Sequence, residues 1–181
     1  MKNSGVLTLV VCCSILLTAC ETPQSGDKPT ATATVATAGN EQCAYSWATQ
    51  LLPDESARIQ VLFTQANMAD YQVKAVAYGE NCVAGDGSLV SFSASETDIY
   101  VTVAVPNLQD RNDLGARVYA LMQVLGRIGF ALPGSNEGYL GVTFQQGDQN
   151  IQLWVPRYAA SQAVADGLRG ADLLDTLQSH K

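Results

Sequence analysis

The sequence predicts an α+β domain in which helices cover a mostly antiparallel sheet of about five strands. Apolar residues repeat at helical spacing in some stretches and at a period of two in others. The strand-like stretches follow one another instead of alternating with helices, in the order α-β-β-β-α-β-β-α, which favours the α+β class. A hydrophobic share of 47% and a charged share of 15% in 181 residues indicate one ordinary domain with its own core.

The first predicted helix begins after Asp54, a favourable N-cap residue, with Glu55 in its first turn. Its apolar residues have the spacing i, i+3, i+4, i+7: Ile59, Leu62, Phe63 and Ala66. Asn67 is expected to end this helix in the left-handed conformation.

Three strands are predicted after this helix. Residues 71–77 alternate between apolar and polar side chains, which is typical of a half-buried strand. Glycine-rich turns separate this stretch from two further strands, at 89–94 and 97–105. The last of these has one strongly apolar face and ends before Pro106.

A second helix is predicted over residues 114–128 from its apolar stripe, and it ends at Gly129. Asp110 and Asp113 stand at N-cap and N3 spacing before it, a carboxylate version of a capping box.

The last third of the domain is predicted to contain a hairpin and a broken helix. Residues 140–144 and 151–155 alternate and are expected to pair across a turn at Gly147. Ser161 is the expected cap of the closing helix, which Gly170 interrupts.

The N-terminus has the features of an export signal. Lys2 precedes an almost uncharged apolar run at 5–17, which is shorter than a membrane-spanning helix requires. Residues 1–19 are therefore interpreted as a signal peptide. Residues 17–20 read Leu-Thr-Ala-Cys and resemble the lipobox of bacterial lipoproteins. The resemblance implies that a diacylglyceryl group is attached to Cys20, that signal peptidase II cuts before it, and that its amine is often acylated.

Lipidation at Cys20 implies that the protein binds a membrane through this residue. The chain is then anchored in the cell membrane or outer membrane with its domain outside the cytoplasm, and two or three acyl chains anchor stably where one is marginal. Residues 20–40 are rich in Thr, Ala and Pro and are predicted to form a disordered linker. The folded domain is assigned to residues 41–181.

Five cysteines are present, of which Cys12, Cys13 and Cys20 belong to the signal and the lipidation site. Cys43 and Cys82 remain, and thiols outside the cytoplasm tend to pair. The expected disulfide closes a loop of about 40 residues and stabilises the fold by about 3–4 kcal/mol in the chain-entropy model. Free buried thiols and a redox or metal role are the alternatives.

The sequence offers few residues for catalysis. The single histidine, His180, is close to the chain end, which disfavours Ser-His-Asp and Cys-His sites and a clustered set of zinc, copper or iron ligands. Nucleophile-elbow and phosphate-binding motifs are absent from the sequence. No catalytic residue, metal or cofactor is therefore predicted.

Carboxylates are the remaining enzymatic option. Glu96 and Asp98 are two residues apart, so that both lie on one face of an extended strand, and Glu80 approaches them if the first and third strands pair. Adjacent carboxylates act as an acid/base pair or bind Ca²⁺. The alternative interpretation is a solvated strand start in an acidic chain.

Trp47 and Trp154 are candidate binding residues, because amphipathic rings favour recognition surfaces. Trp154 and Gln152 alternate with Leu153 and Val155 and are expected on the exposed face of a strand. The alternative is a ring covered by a helix or by the linker. A net charge of −7 without a basic stripe disfavours nucleic acid as a partner.

These observations predict a lipid-anchored envelope protein with a non-catalytic interaction or ligand-binding domain, whose partner is an envelope protein or a small ligand. Two alternatives remain. One is a carboxylate-dependent hydrolase that uses Glu96 and Asp98. The other is a carrier of a small apolar ligand, held between the sheet and the helices.

Overall fold

A computed structural model describes residues 43–180, which form one α+β domain of five strands and four helices. The elements are β1 (Ala44–Leu51), α1 (Pro53–Gln65), β2 (Tyr71–Val83), β3 (Leu89–Ala104), α2 (Arg111–Leu125), β4 (Tyr139–Gln146), β5 (Gln149–Pro156), α3 (Arg157–Ala165) and α4 (Gly170–Ser179). The predicted fold class is confirmed. The signal peptide, Cys20 and the linker lie outside the described residues.

The five strands form one mixed sheet in the order β1-β2-β3-β4-β5. Neighbouring strands are antiparallel except for β3 and β4, which are parallel. A parallel pair needs a crossover connection, and α2 lies in that connection. The sheet is therefore mostly antiparallel, as predicted.

One face of the sheet packs against the helices. The strand side chains on this face are almost fully buried: Ala75, Ala77, Ile99, Val101, Val103, Leu140, Val142, Phe144, Leu153 and Val155. They meet apolar side chains of all four helices, among them Ile59, Phe63, Leu114, Leu121, Ala160 and Leu174. Each large apolar side chain buried here contributes about 1.5–3 kcal/mol relative to exposure. We call this side the helix-covered face.

The strands are divided differently from the prediction. Residues 89–94 and 97–105 were expected as two strands but belong to one strand, β3, which continues through a bulge. Tyr78 pairs with Glu96 and Gly79 pairs with Ala94, so Ser95 is the extra residue of the bulge. In addition, β1 forms at the start of the domain, where no strand was predicted.

Helix α1 starts two residues earlier than expected. Pro53 occupies its first turn and Leu52 its N-cap, so the assignment of Asp54 to the N-cap is wrong. The reason is that proline at the first helical position has a helix-compatible φ and no N–H that needs a partner. Asn67 follows the helix with a φ of 58°, which confirms the left-handed end.

Of the two remaining helix starts, one is confirmed and one is wrong. The Asp110 carboxylate accepts the backbone N–H of Asp113 at 3.0 Å and caps α2 as predicted. The closing helix begins at Arg157 and not at Ser161, directly after β5. It is broken into α3 and α4, as expected.

Helices α2 and α4 approach each other closely at two glycines. A Cβ atom on Gly115 would collide with the carbonyl group of Gly170. The close packing therefore compensates for the low helix propensity of Gly115 in the middle of α2.

Cys43 and Cys82 form a disulfide with their Cα atoms 5.0 Å apart, which confirms the predicted pairing. The bridge joins the residue before β1 to the end of β2, where Tyr45 is paired with Cys82. It therefore fixes an edge strand that has little buried side-chain surface of its own.

Within residues 43–180, none of the helices is both long enough and apolar enough to cross a membrane.

Candidate functional site

The sheet face that points away from the helices carries aromatic and polar side chains. Residues directly opposite each other on paired strands share a face, so the pairing identifies this set. From β1 to β5 it includes Trp47, Leu51, Tyr78, Glu96, Asp98, Tyr100, Tyr139, Gly141 and Trp154. We call it the open face, because Gln72, Lys74 and Gln152 on it are exposed.

Four aromatic residues of the open face form a contiguous aromatic cluster: Tyr78, Tyr100, Tyr139 and Trp154. The rings of Trp154 and Tyr139 are stacked, with centroids 5.2 Å apart and an angle of 6° between their planes. The Tyr100 ring lies 5.4 Å from Trp154 on a tilted plane. The Trp154 side chain remains 41% exposed, so the cluster presents a flat apolar surface to solvent.

Gly141 makes room for this cluster. It is the cross-strand partner of both Tyr100 and Trp154, and a Cβ atom there would lie 2.8 Å from the indole ring and 3.1 Å from Tyr100 Cδ1. The two rings therefore occupy the space that a side chain on β4 would fill. A glycine in the interior of a strand often marks a place that another group approaches closely.

The hydroxyl groups of Tyr78 and Tyr100 are hydrogen-bonded at 2.5 Å. Burial raises the pKa of Tyr100, and the neighbouring Tyr78 hydroxyl and Asp98 carboxylate raise it further. Tyr100 is therefore protonated at neutral pH and acts as a hydrogen-bonding group, not as a base.

Asp98 lies beneath the aromatic cluster and is only 3% exposed. Its Oδ1 accepts the backbone N–H of Tyr139 at 2.7 Å, which ties the start of β4 to β3. Burial raises the pKa of Asp98, and the carboxylate of Glu96 adds to this shift. The N–H of Tyr139 and the charge of Arg157 oppose it.

A cleft of about 490 Å³ adjoins the aromatic cluster. Its lining includes two carboxylates and two tyrosines: Glu96, Glu137, Tyr139 and Tyr158. The loop before β4 is held at the bulge of β3, where the Ser95 carbonyl accepts the N–H groups of Ser135 and Asn136 at 3.0 Å each. We call this the acidic cleft. Tyr139 belongs to both the cleft and the cluster.

Arg157 supplies a cation close to these carboxylates. Burial lowers the pKa of its guanidinium, whereas Glu137, Asp98 and Glu96 raise it. Its Nε is buried and has no hydrogen-bond partner within residues 43–180. Arg157 lines a neighbouring cleft, which shares Glu137 with the acidic cleft.

The two carboxylates that the sequence analysis paired, Glu96 and Asp98, lie on the same face of the sheet but differ in burial. Glu96 and Asp98 both lie on the open face, as their spacing predicted. Glu96 is partly exposed and lines the acidic cleft, whereas Asp98 is buried. Glu80 pairs with Ser93, beyond the bulge, and not with either carboxylate.

The two tryptophans lie at opposite edges of the sheet, on β1 and β5. They therefore do not line one groove. Both are on the open face, and for Trp154 this was predicted from its alternation with Leu153 and Val155. Trp47 is 64% exposed, pairs with Glu80 and lies apart from the aromatic cluster.

Sequence reasoning considered the seven tyrosines only as a group and did not single out Tyr139, Tyr100 or Gly141 as parts of a site. Tyr100 follows Asp98 by two residues, and this alternation was a usable signal. Tyr139 reaches Trp154 within the β4–β5 hairpin, whose pairing the sequence predicted. Tyr100 reaches Trp154 through the parallel pairing of β3 with β4, which no local pattern encodes.

The part of the chain that the structure describes contains no group of three or more His, Cys, Asp or Glu side chains that could hold a metal ion. No protein-family model, curated protein or solved structure matches the chain.

Proposed function

We propose that the protein is a lipid-anchored envelope protein whose domain binds a neutral glycan on the open face of its sheet. One observation carries the proposal, namely the exposed Trp154 stacked on the partly buried Tyr139, on the side of the sheet that lacks helix cover. A flat ring exposed in this way adds little to the core and offers surface for recognition.

The shape and chemistry of the surface support a sugar. Pyranose rings present C–H groups on their faces, which pack on aromatic rings, and hydroxyl groups at their edges. The carboxylates of Glu96 and Glu137 in the adjoining cleft are acceptors for those hydroxyls. Because Tyr139 belongs to both the cluster and the cleft, a chain of two or more sugar units can occupy both.

Charge argues against an anionic ligand. The chain has a net charge of −7, and two carboxylates line the cleft. A cation would also suit these carboxylates, but its binding would weaken steeply with salt. Binding of a neutral sugar is expected to change little between low and physiological salt.

The test is a fluorescence titration of the full chain in detergent with neutral tetrasaccharides of glucose, xylose and N-acetylglucosamine. In a Trp47→Phe background, Trp154 is the only tryptophan, so its emission reports the open face alone. We expect saturable binding of at least one sugar and a loss of at least tenfold in affinity on Tyr139→Ala. Absence of binding by all three sugars, or binding by spermidine alone, would contradict the proposal.

The proposed anchor has a separate test. We expect the intact, non-reduced chain extracted from its native membrane to have the mass of residues 20–181 plus acyl groups, less two hydrogens for the disulfide. A mass without acyl groups would contradict the anchor and leave the binding proposal standing.

The two alternatives receive less support. Asp98 has the raised pKa that a general acid needs, but it is covered, and Tyr139 holds one of its oxygens. For an apolar carrier, the side chains between sheet and helices are already packed against each other with almost no exposure.

A further inference from the structure

The edge strand β1 exposes an unusual surface. Seven of its eight side chains are exposed and Ala48 is partly buried, although the strand pairs with β2 along its whole length. It contains neither a charged residue nor a proline, and its pairing with β2 has no bulge. Proteins ordinarily protect long edge strands with charged residues, prolines or bulges, because the free backbone groups of an edge strand pair readily with another strand.

The hydrogen-bond pattern identifies which backbone groups are available. The Leu52 N–H donates to the Ala75 carbonyl at 3.0 Å, so Leu52 faces β2. In an antiparallel ladder this orientation alternates from one residue to the next. The backbone groups of four residues of β1 therefore point away from β2: Tyr45, Trp47, Thr49 and Leu51.

These four residues are arranged symmetrically about Ala48. If a second copy of β1 pairs antiparallel with Ala48 on the twofold axis, Tyr45 meets Leu51 of the second copy. In the same register Trp47 meets Thr49 of the second copy. Every outward N–H and C=O of the four residues then has a partner, which no other antiparallel self-pairing of β1 achieves. Aromatic–aliphatic and aromatic–β-branched cross-strand pairs stabilise such a contact.

We propose that β1 is a homodimerisation edge, through which two copies of the chain form one continuous ten-stranded sheet with Ala48 on the twofold axis. Both open faces lie on the same side of this sheet. Strand β1 carries no charged side chain, so the negative net charge of the protein does not oppose direct contact between the two β1 strands. A strand-to-strand contact is smaller than a standard interface, so the dimer is weak in dilute solution and favoured where copies are concentrated.

Disulfide trapping tests the register. In the proposed dimer the two Ala48 residues form a non-hydrogen-bonded pair with Cα atoms about 4.5 Å apart, which is within disulfide range. The full chain carrying Ala48→Cys should therefore form a reducible covalent dimer on mild oxidation. Ser46→Cys is the matched control, since it lies on the same face of the same strand but meets Gln50 of the second copy. We expect at least tenfold less dimer from it.

A second variant tests whether the backbone makes the contact. The N–H of Thr49 points away from β2, so Thr49→Pro leaves the β1–β2 ladder intact and removes one donor from the free edge. In the Ala48→Cys background it should reduce the covalent dimer at least tenfold. The proposal is overturned if the two cysteine variants crosslink equally, if neither crosslinks, or if Thr49→Pro leaves the dimer unchanged. Failure of both cysteine variants is the result expected if the chain's own residues 20–42 or another protein's strand occupied the edge.

Discussion

The two faces of the sheet are built from alternate residues of the same strands, yet they differ in almost every property. The helix-covered face is mostly aliphatic, with Tyr71, Phe144 and the polar Thr97 as exceptions, and its core side chains are at most about 5% exposed. The open face combines aromatic rings, a buried carboxylate and exposed polar groups. The difference indicates that one face supplies the stability of the fold, which leaves the other free to bind. Substitutions on the two faces should therefore affect stability and binding separately.

The largest effect is expected on the helix-covered face. Phe144→Ala removes a fully buried ring from β4 and should lower the free energy of unfolding by about 3–5 kcal/mol. Denaturant unfolding of the oxidised protein measures this change. A loss below about 1 kcal/mol would mean that the helices do not pack tightly on this face.

Removal of the disulfide tests how strongly the bridge stabilises β1, the strand with few buried side chains. Replacement of Cys43 and Cys82 together by Ala should cost about 3–4 kcal/mol, because the unfolded chain regains the freedom of a long loop. Hydrogen exchange should show the largest loss of protection in β1. Equal loss of protection across β4 and β5 would show instead that the bridge supports the whole sheet.

Gly141 tests how closely the aromatic rings pack on the open face. A side chain at this position displaces the rings of Trp154 and Tyr100, so Gly141→Val should cost about 1–3 kcal/mol and change the near-ultraviolet circular dichroism. Thr143→Val, two residues along the same face, is the control and should leave the spectrum unchanged. If both variants have the wild-type spectrum, the rings do not lie over Gly141.

Substitution of Asp98 should have the smallest effect on the free energy of unfolding, and this effect should depend on pH. Its pKa is raised in the folded protein, mainly by burial, so the folded state binds this proton more tightly than the unfolded state. Ionisation of Asp98 therefore opposes folding as the pH rises from about 4 through the raised value. Asp98→Asn should be more stable than the wild type at pH 7, and the difference should shrink toward pH 4. A difference that grows as the pH falls would contradict the raised pKa.

Local patterns predicted much of this architecture. Asp110 caps α2, Asn67 ends α1, and Cys43 pairs with Cys82, because each depends on residue chemistry or on simple elimination. Strand β1 was missed although Tyr45 and Trp47 alternate with the small residues Ala44, Ser46 and Ala48, which is a period-two pattern.

The site was less accessible to prediction than the fold. Its centre depends on the parallel register in which Tyr100 lies opposite Gly141, and on the stacking of Tyr139 against Trp154. The Tyr100–Gly141 contact joins residues about 40 positions apart, which a crossover through α2 brings together, whereas Tyr139 and Trp154 belong to the β4–β5 hairpin. Register of this kind is determined by packing of the whole sheet and leaves no short-range trace.

The most direct test of the account compares the two exposed tryptophans, Trp154 and Trp47, each replaced by Ala in the full chain. Both variants should remain folded, because Trp47 is 64% and Trp154 41% exposed and neither ring belongs to the core under the helices. Tetrasaccharide binding, measured by calorimetry, should fall at least tenfold in Trp154→Ala and stay unchanged in Trp47→Ala. Equal affinities in the two variants would contradict the assignment of the aromatic cluster as the binding surface.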